Sequence, residues 1–330
     1  MVKPRRAIRV AVIGTGYWGK NLVRVFADLG VLAAVCDVNR EIAESLAAAH
    51  GAELRPLEDI LADASIDAVA IAAPAAKHAE LARIALTAGK HVFVEKPLAL
   101  DVVDAEPLIA LAREKRRTLM VGHLLQYHPG FRHFKHMIDE GTIGQTQYFY
   151  SNRLNLGKIR REEDILWSFA PHDISMILAL TGQEPSSVSS IGSAFVTPSV
   201  ADVTLTHLAF PSGSRAHIFV SWLHPYKEQR LVAVGTEGML TFDDGLDWDA
   251  KVKLYKHRID WIGGNPVPVK SEGERIPLVE SEPLREELEH FCECIETNRT
   301  ALTDGEEGLR VLRVLQRATE SMLQIEENRV

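Results

Sequence analysis

Three short stretches combine residue types and spacings that could do chemistry. The first is Gly14-Thr15-Gly16-Tyr17-Trp18-Gly19, which follows the apolar run Ile8 to Ile13 and leads into a helical pattern from Lys20 to about Leu29. A strand, a tight glycine turn and a helix in that order offer free N–H groups and a favourable dipole to a diphosphate. Gly14 permits the turn, Gly16 lets the backbone approach the pyrophosphate, and Gly19 lets helix and strand pack closely. Asp37 closes the next apolar run, Val31 to Cys36, near the ~20-residue spacing expected of a ribose-binding acid. An acid there repels a 2′-phosphate and favours NAD over NADP, although Arg40 stands close enough to complicate that preference. The second stretch, Glu95-Lys96-Pro97, ends the strand-like run His91 to Val94. Lys96 then sits at the carboxyl edge of a sheet, where such folds bind ligands. Its ammonium can donate to a substrate oxygen and help move a proton; the plainer alternative is a surface lysine beside a proline turn. The third stretch, Leu166 to Asp173, carries His172. An imidazole with an ordinary pKa near ~6.5 suits acid–base work, and capping or packing at a helix start is its alternative. Asp164 and Asp173 are both candidate orienting acids, and Asp173 could instead stabilise the helix N-terminus.

The elements that must position these groups alternate strand and helix up to Gly122. Strand runs at 8–13, 31–36, 67–73, 91–94 and 118–121 are separated by helical stretches at 20–29, 40–50, 78–88 and 101–116, which implies a parallel, doubly wound Rossmann sheet. Beyond Gly122 the pattern changes. Helices are expected at Phe131 to Glu140 and Pro171 to Leu180. Alternating strands are expected at 148–155, 188–195, 201–210, 214–222, 230–235 and 239–242, with 256–280 irregular, followed by helices at 283–296 and 305–326. The reading is two domains. Residues 1–122 bind the dinucleotide. Residues 123–330 form an α+β substrate-binding and oligomerisation domain with a large open, mostly antiparallel sheet, whose C-terminal helix could pack back on the first domain.

Composition narrows the function classes. The 330 residues are 46% hydrophobic and 25% charged, with a formal net charge of −8. Those are globular values, and without a basic cluster they argue against a nucleic-acid partner. The lead Met1 to Arg6 and its short apolar follow-on do not read as a signal peptide, and no stretch approaches the ~18 apolar residues of a membrane span. Cys36, Cys292 and Cys294 form no framework and point to a reducing, cytoplasmic setting. Cys292 and Cys294, about 200° apart on a helix, read as ordinary buried or half-buried thiols. His133 and His136 have HxxH spacing without a third ligand, so no metal is expected.

Glu95-Lys96-Pro97, together with the glycine loop and Pro74…His78, resembles the glucose–fructose oxidoreductase/inositol dehydrogenase/rhizopine-catabolism (Gfo/Idh/MocA) family along essentially the whole chain. The resemblance implies a nicotinamide-dependent oxidoreductase with an open-faced second domain and an active site between the domains. It implies a Lys96–Pro97 peptide that is often cis, and Lys96 and His172 as the acid–base pair. It also places Gly14 to Gly19, Asp37, Arg40, Pro74, His78 and Glu95 to Pro97 around the dinucleotide. In dehydrogenases of this family an Asp usually stands four residues before the His; here that position is Ser168, which leaves the acid–base set incomplete.

Gly122 to Pro129, Arg153 to Gly157 and Leu166 to Ile174 further resemble the nucleotide-sugar 3-dehydrogenase branch. That branch oxidises the C3 hydroxyl of UDP-N-acetylglucosamine or its uronic acid ahead of an aminotransferase. Arg153, Lys158, Arg160 and Arg161 are suited to holding a diphosphate, or form a solvated basic loop. Asn155 could bond a sugar hydroxyl or hold its loop in shape, and Asp173 is grouped with the substrate contacts. Tyr127, Trp222 and Tyr226 are candidate sugar or uracil surfaces or core residues. The alternatives are a ketoreductase or dehydrogenase for another sugar, and a binding protein that senses NAD(H) without chemistry. The exposed sheet face leads us to expect a homodimer or homotetramer.

Overall fold

The computed structural model describes residues 8–327. The short charged lead read at the N-terminus lies outside them. Two compact units make up the chain. One runs to Leu124 and includes Glu282–Leu312; the other is Leu125–Ser281 with the residues from Arg313.

The first unit contains β1 (Val10–Ile13), α1 (Gly19–Asp28), β2 (Leu32–Cys36), α2 (Arg40–His50), β3 (Glu53–Leu54), α3 (Leu57–Ala62), β4 (Ala68–Ile71), α4 (His78–Thr87), β5 (His91–Glu95), α5 (Val102–Lys115) and β6 (Leu119–Gly122). The six strands form one parallel sheet in the order β3-β2-β1-β4-β5-β6. β1, β4 and β6 are buried at every position, as strands covered on both faces must be. This is the Rossmann sheet expected from the alternating pattern. The short β3 and α3 were not anticipated; two residues of strand and six of helix are too few to show a period.

The second unit begins with α6 (Pro129–Asp139), β7 (Thr146–Leu156), α7 (Ile165–Thr181), β8 (Ser187–Ser193), β9 (Val203–Ala209) and β10 (Arg215–Ser221). It continues with β11 (Leu223–Gly235), β12 (Met239–Asp243), β13 (Val252–Tyr255), β14 (Arg258–Ile262), β15 (Asn265–Val269) and β16 (Glu274–Arg275). Eight strands form a sheet in the order β16-β13-β12-β11-β7-β10-β9-β8. Only the β7–β10 pair is parallel. Burial alternates along β9 and β10, and α7 covers one face. Tyr148, Ile191 and Leu205 remain exposed.

Residues 256–280, expected to be irregular, contain the β14–β15 hairpin and β16. Gly263 and Gly264 both take positive φ (58° and 81°), the two-residue turn that fits the strand twist. Pro266 and Pro268 hid the second strand from a sequence reading. They are tolerated because β15 pairs only with β14 and its other edge is open. The chain ends with α8 (Pro283–Thr297) and α9 (Gly305–Glu327). Residues 303 and 304 run along β6: Val121 N–H donates to the Thr303 carbonyl (2.8 Å), and Thr303 Oγ1 donates to the Val121 carbonyl (2.7 Å). No helix among the described residues is long and apolar enough to cross a membrane.

Candidate active site

The glycine loop links the carboxyl end of β1 to α1. Gly14 has φ 91°, and a Cβ there would come within 2.7 Å of the Ala72 backbone. A Cβ on Gly19 would collide with the Gly14 carbonyl, whereas one on Gly16 would meet nothing within 4 Å. The helix N-terminus at Trp18 has no side-chain cap; the Lys20 and Asn21 N–H groups are taken by the Gly16 and Trp18 carbonyls, and the open side of the turn is a cradle at Gly16. A glycine turn open at that point lets a pyrophosphate approach the backbone. Gly19→Ala is accordingly expected to destabilise the fold. Gly16→Ala should leave the melting temperature near wild type but weaken NADH binding, as read by a fluorescence titration and a melt of each variant.

Asp37 lies just beyond β2. Its Oδ2 accepts from the Thr15 N–H (2.5 Å) and hydroxyl (3.0 Å), and its Oδ1 accepts from the Asn39 N–H (2.8 Å). Burial pushes its pKa up, but these donations outweigh it and hold the carboxyl below the usual range. Asp37 therefore stays ionised and also fixes the glycine loop. Arg40 is exposed at the first position of α2, behind the Asn39 cap.

Glu95, Lys96 and Pro97 leave the carboxyl end of β5, and the Lys96–Pro97 peptide is cis. Trp18 Nε1 donates to Glu95 Oε1 (2.5 Å), tying the glycine loop to this segment. Burial pushes the Glu95 carboxyl up to about 7, against the opposing effects of Trp18 and Lys96. Pro74 is exposed, but His78 is buried. Its Nδ1 lies 2.7 Å from the Pro97 carbonyl and its Nε2 2.8 Å from the Ala73 carbonyl. His78, expected beside the dinucleotide, is buried among the backbone segments it joins.

In the second unit α7 starts six residues before the expected Pro171. Asp164 is its N-cap, accepting from Trp167 N–H (3.0 Å), and Pro171 lies inside the helix. An interior proline costs about 3 kcal/mol, but twelve of the seventeen residues of this helix are buried and none is exposed, and packing decides. His172 is therefore well inside the helix, not at its start, and Asp173 is not an N-terminal residue. The longer helix also places Ser168 and His172 one turn apart on one face. Ser168 is buried and His172 half-buried.

Asp173 and Arg153 were expected among the substrate contacts. They bind each other: Arg153 Nε donates to Oδ2 (2.7 Å) and Nη2 to Oδ1 (3.2 Å), while Ser151 Oγ donates to Oδ1 (2.6 Å). All three residues are buried. This triad pins α7 to β7 and so holds the backbone beside His172. Ser151 had not been singled out, because its partner lies 22 residues away in sequence.

Tyr127 is fully buried, with Arg132 5.3 Å from its ring centre, so it offers a ligand no surface. Trp222 is core, its Nε1 donating to Asp202, while Tyr226 is exposed. Arg160 pairs with Glu163 (2.6 Å), and Lys158 and Arg161 are exposed. Asn155 Oδ1 is buried with no hydrogen-bond partner among the described residues. The rings of His133 and His136 lie 6.4 Å apart, and no cluster of three metal-ligating side chains occurs among the described residues.

Comparison with known proteins agrees with this fold. Residues 8–123 match the oxidoreductase family with an NAD-binding Rossmann fold, Gfo/Idh/MocA, and residues 131–241 match its C-terminal domain. The chain belongs to the Gfo/Idh/MocA family. It is 30% identical over 308 residues to UDP-N-acetylglucosamine 3-dehydrogenase from Acidithiobacillus ferrooxidans, covering 92% of this chain and 94% of that one. A solved structure of that dehydrogenase superposes with a TM-score of 0.85 at 28% identity, covering 96% and 98%. Inositol 2-dehydrogenase from Rhizobium meliloti is 27% identical, covering 96% and 97%. D-xylose 1-dehydrogenase [NADP(+)] from Haloarcula marismortui is 26% identical, covering 92% and 87%. As a Gfo/Idh/MocA protein the chain is an oxidoreductase with a nicotinamide cofactor and the two-part fold expected from its sequence.

Proposed function

We propose that this protein oxidises the C3 hydroxyl of a UDP-N-acetylglucosamine-type nucleotide sugar to the 3-keto sugar. The observation that carries this reading is the similarity to UDP-N-acetylglucosamine 3-dehydrogenase across 92% of the chain, in a protein that has both Lys96 and His172. An oxidised nicotinamide, when bound, supplies the hydride acceptor. Lys96 donates a hydrogen bond to the reacting oxygen and favours the alkoxide that builds up there. His172 takes the hydroxyl proton as the carbon–hydrogen bond breaks. Ser168 has no charge to support the imidazolium, so His172 relies on a helix held in place by Asp173 and Arg153.

Asp37 supports NAD over NADP, since an ionised carboxylate repels a 2′-phosphate. The exposed Lys158 and Arg161, and Arg160 beside Glu163, suit the diphosphate better than the buried, paired Arg153. The Asn155 side chain, whose buried Oδ1 has no partner, suits a hydroxyl or amide N–H of the sugar. The 3-keto product is the kind of carbonyl a sugar aminotransferase consumes. Incubation with NAD+ should yield NADH with UDP-N-acetylglucosamine or its uronic acid and none with myo-inositol or free xylose. NADH from the free polyols alone would overturn the nucleotide-sugar assignment. The absence of Asp at position 168 favours a second reading, NAD(H) binding without chemistry; single-turnover NADH formation excludes it.

A further inference from the structure

His78 is the first residue of α4 and only 2% exposed. Its ring lies between two backbone segments that leave neighbouring strands of the parallel sheet. Nδ1 is 2.7 Å from the carbonyl oxygen of Pro97, beyond β5, and Nε2 is 2.8 Å from that of Ala73, beyond β4. A carbonyl oxygen can only accept a hydrogen bond. A neutral imidazole has one N–H and one bare nitrogen, so in either tautomer one carbonyl would face a lone pair instead of a proton. Turning the ring over does not help, because C–H···O contacts run to about 3.3–3.6 Å between heavy atoms, longer than both contacts here. The imidazolium, with a proton on each nitrogen, satisfies both oxygens. Both distances also fall in the ~2.7–2.9 Å range of bonds from an ionised N–H donor.

Two other histidines show the opposite pattern. The Gly130 N–H donates to His128 Nδ1 (2.9 Å), and the Thr118 N–H donates to His91 Nδ1 (3.0 Å). A ring nitrogen that accepts is bare, so both of these imidazoles are neutral. Burial, with Arg117 adding to it, pushes His91 down to about 4.

The two segments that His78 joins both adjoin the glycine loop. A Cβ on Gly14 would lie 2.7 Å from the backbone of Ala72 and of Ala73, so the loop rests on the peptide between them. Trp18 of the loop donates to Glu95 (2.5 Å), two residues before Pro97. Burial disfavours a charge on the ring, and hydrogen bonds made by the charged form favour it. Loss of the second proton would leave a buried carbonyl unsatisfied. The charged groups on the elements around the ring are Lys77, paired with Glu80 (2.9 Å) on its own helix, Glu95 and Lys96 ahead of Pro97, and Asp101 and Asp104 at the start of α5, which packs on α4. Residues 68 to 76 carry none.

We infer that His78 is held as an imidazolium and, by bonding Ala73 and Pro97 through its two N–H groups, positions the glycine loop and the Glu95–Pro97 turn for the dinucleotide. It is a positioning residue, acting through the backbone segments it joins.

The test labels the histidines with ¹⁵N and follows the two-bond correlations within each imidazole from about pH 6 to about pH 8.5, where an ordinary imidazole, near ~6.5, has lost its second proton. His78 is assigned from its through-space contacts to Ala73 and Pro97 and from the signals lost in His78→Gln. It should show a proton on both nitrogens across this range, while His91 and His128 show a bare Nδ1. Adding NADH should shift both His78 N–H signals without removing either. These readouts use the wild-type protein and no sugar, so they stand where a variant does not fold and are separate from the substrate assignment. In fluorescence titrations His78→Gln should bind NADH about tenfold more weakly, as expected for loss of a bond from a charged donor. His78→Phe, which fills the space without a donor, should bind at least as weakly as His78→Gln. A bare nitrogen on His78 within the pH range would overturn the imidazolium. His78 signals unmoved by NADH, or folded variants that bind NADH as wild type does, would overturn its positioning role.

Discussion

Replacing Lys96 by alanine is expected to lower turnover by about 10²- to 10⁴-fold, the usual contribution of a positioned acid–base group, with NADH affinity changed no more than a few-fold. The ammonium leaves the reacting oxygen without its donor, while the cradle at Gly16 and the Asp37 bonds to Thr15 stay intact. His172→Asn is expected to act similarly, because an amide cannot take the proton. The two side chains act on the same oxygen in this reading, so the double variant should lose much less than the product of the single losses. Steady-state rates with separately measured NADH affinities check this. Undiminished turnover in both single variants would remove Lys96 and His172 from the chemistry.

The second large effect is on stability. Asp173→Ala leaves the Arg153 guanidinium buried without its carboxylate and removes the acceptor of Ser151. Breaking a buried pair from one side costs about 3–5 kcal/mol, a large share of the ~5–15 kcal/mol that holds a typical protein folded. Urea or thermal unfolding should show the transition moved strongly down, with turnover lost as well because α7 carries His172. Asp173→Asn keeps the shape and one acceptor, and should lose less. If Asp173→Ala unfolds at the wild-type midpoint, the triad does not hold the helix.

How much of this was legible from the sequence depended on the range of the interactions. α2 was read at its observed bounds because Asn39 caps it, Gly51 closes it in the left-handed region and its period is clean. The glycine loop, Asp37 and Lys96 were legible because strand, turn and helix are adjacent in the chain. α7 was cut short at Pro171, since a proline normally marks a boundary; burial of most of the helix outweighs that local signal. The β14–β15 hairpin was hidden by Pro266 and Pro268, whose cost vanishes at an open edge. The Arg153–Asp173 pair and the His123–Glu307 contact left no local trace. Their partners are 20 to almost 200 residues apart, and only the fold brings them together.

The central claim is a hydride transfer from one particular carbon. UDP-N-acetylglucosamine carrying deuterium at C3, incubated with NAD+ and the protein, tests it most directly. The reduced nicotinamide should carry the deuterium, and the sugar product a C3 carbonyl. Reduced nicotinamide without deuterium, or none formed with either this sugar or its uronic acid, would contradict it.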